Sequence, residues 1–288
     1  MKLARIGMVV AALGLTALAD ARAQDVGPVS SDAAVAVFAR VVARARETGA
    51  LERVVGLHPF IMTRHFRDDD GAPRFERRFL MTYRIAVEDD ALRLDVVVQP
   101  EFAPGQVDIG YVVGLDGRMR SMVALTGERV EAEVRDGTLV VRQVDQGKTT
   151  EHPWDDRLLP KIVAAFVLPM LADQGLPEAW SFRDLNPFGQ VTRPIVMRPL
   201  GANDEVDGVR TFGTFEGRAR ETTRVQVSVD GQLVGIETES SVNAAGVVTH
   251  LAASRRITPE EHARLAPTWQ DDPPPAEEPG GPEGDRPR

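Results

Sequence analysis

Through the middle of this chain, every second residue is apolar. Phe79, Met81, Tyr83, Ile85 and Val87 interleave with Leu80, Thr82, Arg84, Ala86 and Glu88, the period-two pattern of a half-buried strand. Asp89-Asp90 turns the chain, and Leu92, Leu94, Val96 and Val98 alternate around Arg93 and Asp95. The same grammar predicts strands over 109–115, 118–125, 129–135 and 138–144, with Asp116-Gly117 and Asp136-Gly137 as two-residue hairpin turns. It returns over 194–200, 210–216, 222–229, 232–240 and 247–256, with Asp207-Gly208 and Asp230-Gly231 at turns. Strands joined by tight turns are antiparallel. The pattern predicts two stretches of meander with no residue-level repeat between them.

Helical periodicity takes over in three places. Val37, Phe38, Val41, Val42 and Ala45 form one stripe, with Ser30, Ser31 or Asp32 as candidate caps and Gly49 as the stop. Such a helix covers something apolar, here a sheet. Between the meanders, Ile162-Val163-Ala164-Ala165-Phe166-Val167-Leu168 is apolar on every side and bounded by Pro160 and Pro169. The alanine pair and the preceding Asp155-Asp156 favour a short capped helix over a strand. A helix with no polar face is buried all round or packs into a concave surface. Thr258-Pro259-Glu260-Glu261 is a capping box opening one last short helix.

The ends read differently. Lys2 and Arg5 precede an uncharged run over 6–19, and Ala21-Arg22-Ala23 gives a signal-peptidase site with cleavage before Gln24. The run is shorter than the ~20 residues a spanning helix needs. The expectation is export to the periplasm or beyond, with no membrane span after cleavage. From Pro267 to Arg288 the chain is acidic and rich in Pro and Gly, the composition of a disordered tail. The expected organisation is therefore a signal peptide over 1–23, a single β-rich domain over 24–266 and the tail over 267–288.

Removing 1–23 takes away Lys2, Arg5, Arg22 and Asp20 and leaves 31 basic against 42 acidic residues, a net charge of −11. That balance argues against nucleic acid and anionic membrane surfaces as partners. The absence of cysteine excludes disulfides, thiolate metal sites and a Cys nucleophile. Five histidines (His58, His65, His152, His250 and His262) show no metal-ligand spacing, and Asp68-Asp69-Asp70-Gly71 lacks the remaining ligands of a calcium loop. His152 with Asp155 and Asp156 is the best catalytic candidate, but a strand end followed by helix-capping aspartates accounts for the same residues. No catalytic residue, metal or cofactor is implied, and the chain reads as a non-enzyme.

An N-terminal helix, a long meander, an apolar central helix and more meander follow one another in this chain. With the wording Val206-Asp207-Gly208-Val209 and Val225-Gln226-Val227-Ser228-Val229-Asp230-Gly231-Gln232-Leu233-Val234-Gly235-Ile236-Glu237, that order resembles the superfamily of periplasmic lipoprotein carriers and outer-membrane lipoprotein receptors (LolA/LolB-like), and within it uncharacterised exported relatives. The resemblance covers roughly 33–257. It implies an α+β, mainly β fold: a curved antiparallel sheet, an incomplete barrel, with an N-terminal helix and the central helix plugging the concave face. No lipid-contacting residue of the carriers maps onto a position here. The acidic tail and a long arm over 51–78 depart from them. The function expected is non-catalytic binding of an apolar ligand or acyl chain in the concave sheet, lined by Ile162, Val163, Phe166, Val167, Met81 and Tyr83. The alternative is an envelope-assembly or protein-interaction module with no small ligand.

Overall fold

The computed structural model describes residues 29–101, 105–202, 208–216, 221–242 and 248–269. The expected signal peptide over 1–23 and the expected tail from residue 270 onward lie outside them. Helix α1 (Ala34–Glu47) buries Val37, Phe38, Val41, Val42 and Ala45 completely, the stripe its periodicity predicts. Its cap is not the expected one. The N-cap is Ala33, without a side-chain bond, because Asp32 pairs with Arg40 at 2.8 Å and Ser30 accepts from the Asp32 N–H. Gly49 then takes the left-handed conformation, φ 72°, that ends the helix.

Fourteen strands follow among the described residues: β1 (Gly56–Arg67), β2 (Pro73–Glu88), β3 (Ala91–Pro100), β4 (Val107–Gly114), β5 (Met119–Leu125), β6 (Arg129–Arg135), β7 (Thr138–Gln143), β8 (Lys148–Pro153), β9 (Trp180–Phe182), β10 (Ile195–Ala202), β11 (Val209–Glu216), β12 (Glu221–Ser228), β13 (Leu233–Val242) and β14 (Val248–Arg256). They make one antiparallel sheet in the order β8 to β1, then β14 to β9. The fold is α+β, mainly β, a curved sheet that does not close.

Two features escape the pattern of the sequence. Residues 56–67, expected as part of an arm, are β1, the strand at which the two meanders join by pairing with β2 and β14. It does not alternate because Phe60, Ile61 and Met62 are all buried, so both of its faces are covered. Asp136-Gly137 is the two-residue turn expected, with φ of 47° and 77°. Asp116-Gly117 instead sits in a four-residue connection between β4 and β5, beside a bulge at Val112/Val113. A Cβ on Gly117 would lie 2.5 Å from the carbonyl oxygen of Val35, so this glycine lets the loop close on α1.

The inner face of the sheet holds the main core, which α1 and the central helical segment share. β8 and β9 remain unpaired with each other. Only their connections meet, through the Leu158–Arg183 bridge and the Arg183 N–H donating to the Arg157 carbonyl at 2.7 Å. On the outer face, helix α3 (Pro259–Leu265) starts at the predicted cap, with Thr258 Oγ1 accepting from the Glu261 N–H at 3.1 Å. Here Ile61, Leu80, Ile257 and Trp269 form a second, small cluster, with Leu265 and Ala266 against it. Trp269 is only 4 % exposed, so the packed chain runs past the boundary expected at residue 267.

Candidate functional site

The central helix, α2, runs over 161–170 and departs from a plain α-helix. Val163–Val167 is a π-turn and Leu168–Met170 an α-turn, with the Leu168 N–H donating to Val163, five residues back. Pro169 therefore does not bound the helix. Proline lacks an N–H and its ring crowds the carbonyl four residues earlier, and the wider π-turn just before it accommodates both. Nor do Asp155 and Asp156 cap it. Asp156 accepts from Trp154 Nε1 at 2.7 Å, while Asp155 binds Arg157 and Arg183. Hydrogen bonding from Arg157 first, and from Arg183 after it, holds the Asp155 carboxyl down at about 2.

The acid at the helix start comes from beyond β9. Asp184 Oδ1 accepts from the Lys161 N–H at 2.7 Å. It is fixed by a loop in which Asp184 and Thr192 exchange hydrogen bonds at 2.8 Å and Asn186 Oδ1 receives the Phe188 and Gln190 N–H groups. Asp184 is buried, and that burial pushes its carboxyl up to about 6 against the opposing pull of the Lys161 N–H and charge.

Beneath α2 lies a cavity of about 70 Å³. The residues lining this slot come from five successive rows of the inner face. Tyr111 stands in the first row, followed by Tyr83 with Val96 and Ile109, then Met81 with Val98. Met62, Ser254 and Ile236 make the fourth row, and Ala252, Thr238 and Thr223 the fifth. From the first row to the fifth is eight residues along β1, about 27 Å at ~3.4 Å per residue. Ile162 and Phe166 form the helix wall. The Phe166 ring meets Tyr83 edge-on at 5.2 Å, and Tyr83 meets Phe60 in the same way at 5.7 Å. Burial raises the phenol pKa of both Tyr83 and Tyr111, and at Tyr111 the Asp184 charge adds to the shift. Both stay neutral hydrogen-bond donors.

Of the six candidate lining residues, the structure brings Ile162, Phe166, Met81 and Tyr83 together around the slot. Val163 and Val167 are fully buried in the core and do not line it. The polar lining residues that sequence reasoning missed include Tyr111, Lys161, Asp184 and the small positions Thr223, Thr238 and Ser254. His152, Asp155 and Asp156 form no base with an orienting partner, since both aspartates are engaged elsewhere. Among the described residues no group of three His, Asp or Glu side chains is placed to hold a metal, and no helix is long and apolar enough to cross a membrane.

No family model and no curated protein matches this chain. Solved structures align with most of it, three of them as follows. A DUF1329 family protein from Desulfovibrio piger is 9% identical at a TM-score of 0.23, over 77% of this chain and 91% of that one. A putative outer membrane lipoprotein-sorting protein domain from Vibrio parahaemolyticus is 8% identical at 0.21, over 78% and 97%. A LolA superfamily protein from Nitrosomonas europaea is 9% identical at 0.18, over 75% and 96%. The last two carry in their descriptions the group that the sequence resembles. At such scores the likeness assigns neither ligand nor partner to this chain.

Proposed function

We propose that this chain is an exported, non-catalytic envelope protein that binds an apolar ligand or acyl chain in the slot beneath α2. The observation that carries this reading is the slot itself: a mostly apolar channel on the inner face, roofed by a helix that is apolar after Lys161, the one charged residue it adds to the lining. At about 70 Å³ the space is under half of the ~150 Å³ that accommodates a benzene ring in an engineered cavity. A chain-like ligand therefore enters by displacing the side chains that fill the channel, above all Phe166 and Ile162. The π-turn supports such movement, because its hydrogen bonds already run off the α ladder, a geometry frequent at functional sites.

Uptake of the fluorescent fatty acid cis-parinaric acid, with lipid extraction and mass spectrometry of protein purified from the periplasm, tests this. Phe166→Ala is expected to cost less than the ~3–5 kcal/mol of a rigid core site, because a yielding wall collapses around the gap. It should also change probe uptake. Wild-type protein that takes up no probe, together with a full-sized stability loss in the mutant, would leave the interaction module as the better reading.

A further inference from the structure

Two charged side chains line the slot, and they stand together at one end of it. Lys161 opens α2, and Asp184 accepts its backbone N–H beside Tyr111 of the first row. Beyond Tyr83 in the second row, the lining is apolar until Ser254 and the Thr223–Thr238 pair, whose hydroxyls lie 3.5 Å apart. The charged end carries donors that the protein leaves unused. Among the described residues the Lys161 ammonium makes no ion pair or hydrogen bond, and neither the Tyr83 nor the Tyr111 hydroxyl makes a hydrogen bond. These tyrosines are 4 % and 5 % exposed, yet their oxygens are not sealed off as the Trp180 indole N–H is. They therefore open onto the slot. Buried polar groups are as a rule hydrogen-bonded, so a pair of unused phenols beside an unused ammonium calls for a partner that accepts. Asp184 is the one acceptor there, and its Oδ1 is already taken.

We propose that this end of the slot holds the carboxylate of a long-chain carboxylic acid between the Lys161 ammonium and the Tyr111 hydroxyl, an inference that rests on the function proposed above. Both contacts are charge-assisted, and Tyr83 offers a further donor one row along. The chain then runs beneath Ile162 and Phe166, past Met81 and toward the threonine pair. Asp184 carries the same charge as such a head, and in the protein alone Lys161 offsets it. An incoming carboxylate takes over as the counter-charge of Lys161, and Asp184 binds a proton from solvent. Its burial, and after it the charge of Glu216, already favour the neutral acid, against the pull of Lys161 and of the Lys161 and Leu185 N–H groups. Tyr111, which feels the Asp184 charge, stays neutral. Carboxylate and proton enter together, so binding adds no net charge to a buried site, where an unbalanced one is costly.

Fluorescence titration of the full chain with cis-parinaric acid and with its methyl ester, at pH 6, 7 and 8, tests this. The probes share a chain and only the acid carries a charge, since an ordinary carboxyl is ionised throughout that range. At pH 6 the acid should bind roughly tenfold more tightly than the ester, as expected for a charge-assisted contact. Its affinity should fall toward pH 8 by up to about tenfold per unit, the mark of one proton taken up on binding, while ester affinity stays level. Asp184→Asn keeps an acceptor for the Lys161 N–H and should abolish the pH dependence. Lys161→Gln should bring the acid down to the affinity of the ester. Ester binding with no preference for the acid at pH 6 would overturn the carboxylate subsite and leave the apolar slot standing. A preference that survives Lys161→Gln, or a pH dependence that survives Asp184→Asn, would overturn it as well. Acetate competing as strongly as parinaric acid would overturn the long chain in favour of a free anion. Failure of both probes to bind at any pH would overturn the slot and the subsite together.

Discussion

β1 and β2 serve two cores at once, and neighbouring residues belong to different ones. Phe60, Met62, Phe79 and Met81 join the inner core with α1, α2 and the rest of the sheet. Ile61 and Leu80, between them in sequence, meet Ile257 and Trp269 outside. The inner region is large and admits a slot, two buried tyrosines and a buried carboxyl. The outer one is small and almost wholly apolar, and it lies over the β1–β2 pair, joined by Ile257 just past the end of β14. The difference separates two tasks. The outer cluster clamps the junction of the two meanders, which frees the inner face from being packed solid.

The sharpest way to break that division is Phe60→Ala. Phe60 has no exposed surface and meets Tyr83 edge-on from β1. It is an anchored wall, so its loss should cost the full ~3–5 kcal/mol in denaturant unfolding. A cost no larger than that of Phe166→Ala would show the two walls to be equally yielding.

Asp184 distinguishes the regions by pH. Its folded pKa, about 6, is raised above the 3.8 of an ordinary aspartate. The folded state therefore holds a proton that the unfolded state has released, and this carboxyl lowers stability as pH rises from 4 through 6. At ~1.4 kcal/mol per unit, Asp184→Asn should gain roughly 2–3 kcal/mol over the wild type at pH 7, and the gain should vanish below pH 4. Chemical denaturation of both proteins across that range checks it, and a gain independent of pH would refute it.

The smallest effect belongs outside. Trp269→Ala removes one buried ring from a cluster with few members and should cost about 1.5–3 kcal/mol. Uptake of parinaric acid should be unaffected, because the ring is on the far face of the sheet. Altered uptake would show that the clamp and the slot are coupled.

Much of this fold is visible in the amino-acid pattern, and the exceptions share a cause. The strands from Phe79 to Gln143 and most of those from Ile195 to Arg256 alternate because one face is wet, β11 with its buried run Thr211–Phe215 being the exception, and alternation is what a sequence displays. β1 is wrapped on both sides and reads as an apolar run around Pro59. Its partner, β14, lies nearly two hundred residues away, and no local signal records that pairing. At the site, Ile162, Phe166, Met81 and Tyr83 stood out as large apolar groups on the right elements. Thr223, Thr238 and Ser254 did not, because a small polar residue in a strand looks the same whether it faces solvent or a cavity. Asp184 was hidden for a similar reason. The helix it caps begins more than twenty residues earlier in the chain, beside two aspartates that were nearer and less useful.

The unclosed sheet has a further consequence, in solubility. A sheet that stops short of a barrel keeps two terminal strands, and a bare strand edge is a template for another copy to add to. β9 is only three residues long, and the connection after β8 bonds to the residue following it. β8 reads Lys-Thr-Thr-Glu-His-Pro, mostly exposed, with Lys148 at one end and Pro153 at the other. Charge, proline and brevity are what discourage strand addition, so neither β8 nor β9 offers a long apolar edge from which fibres could grow.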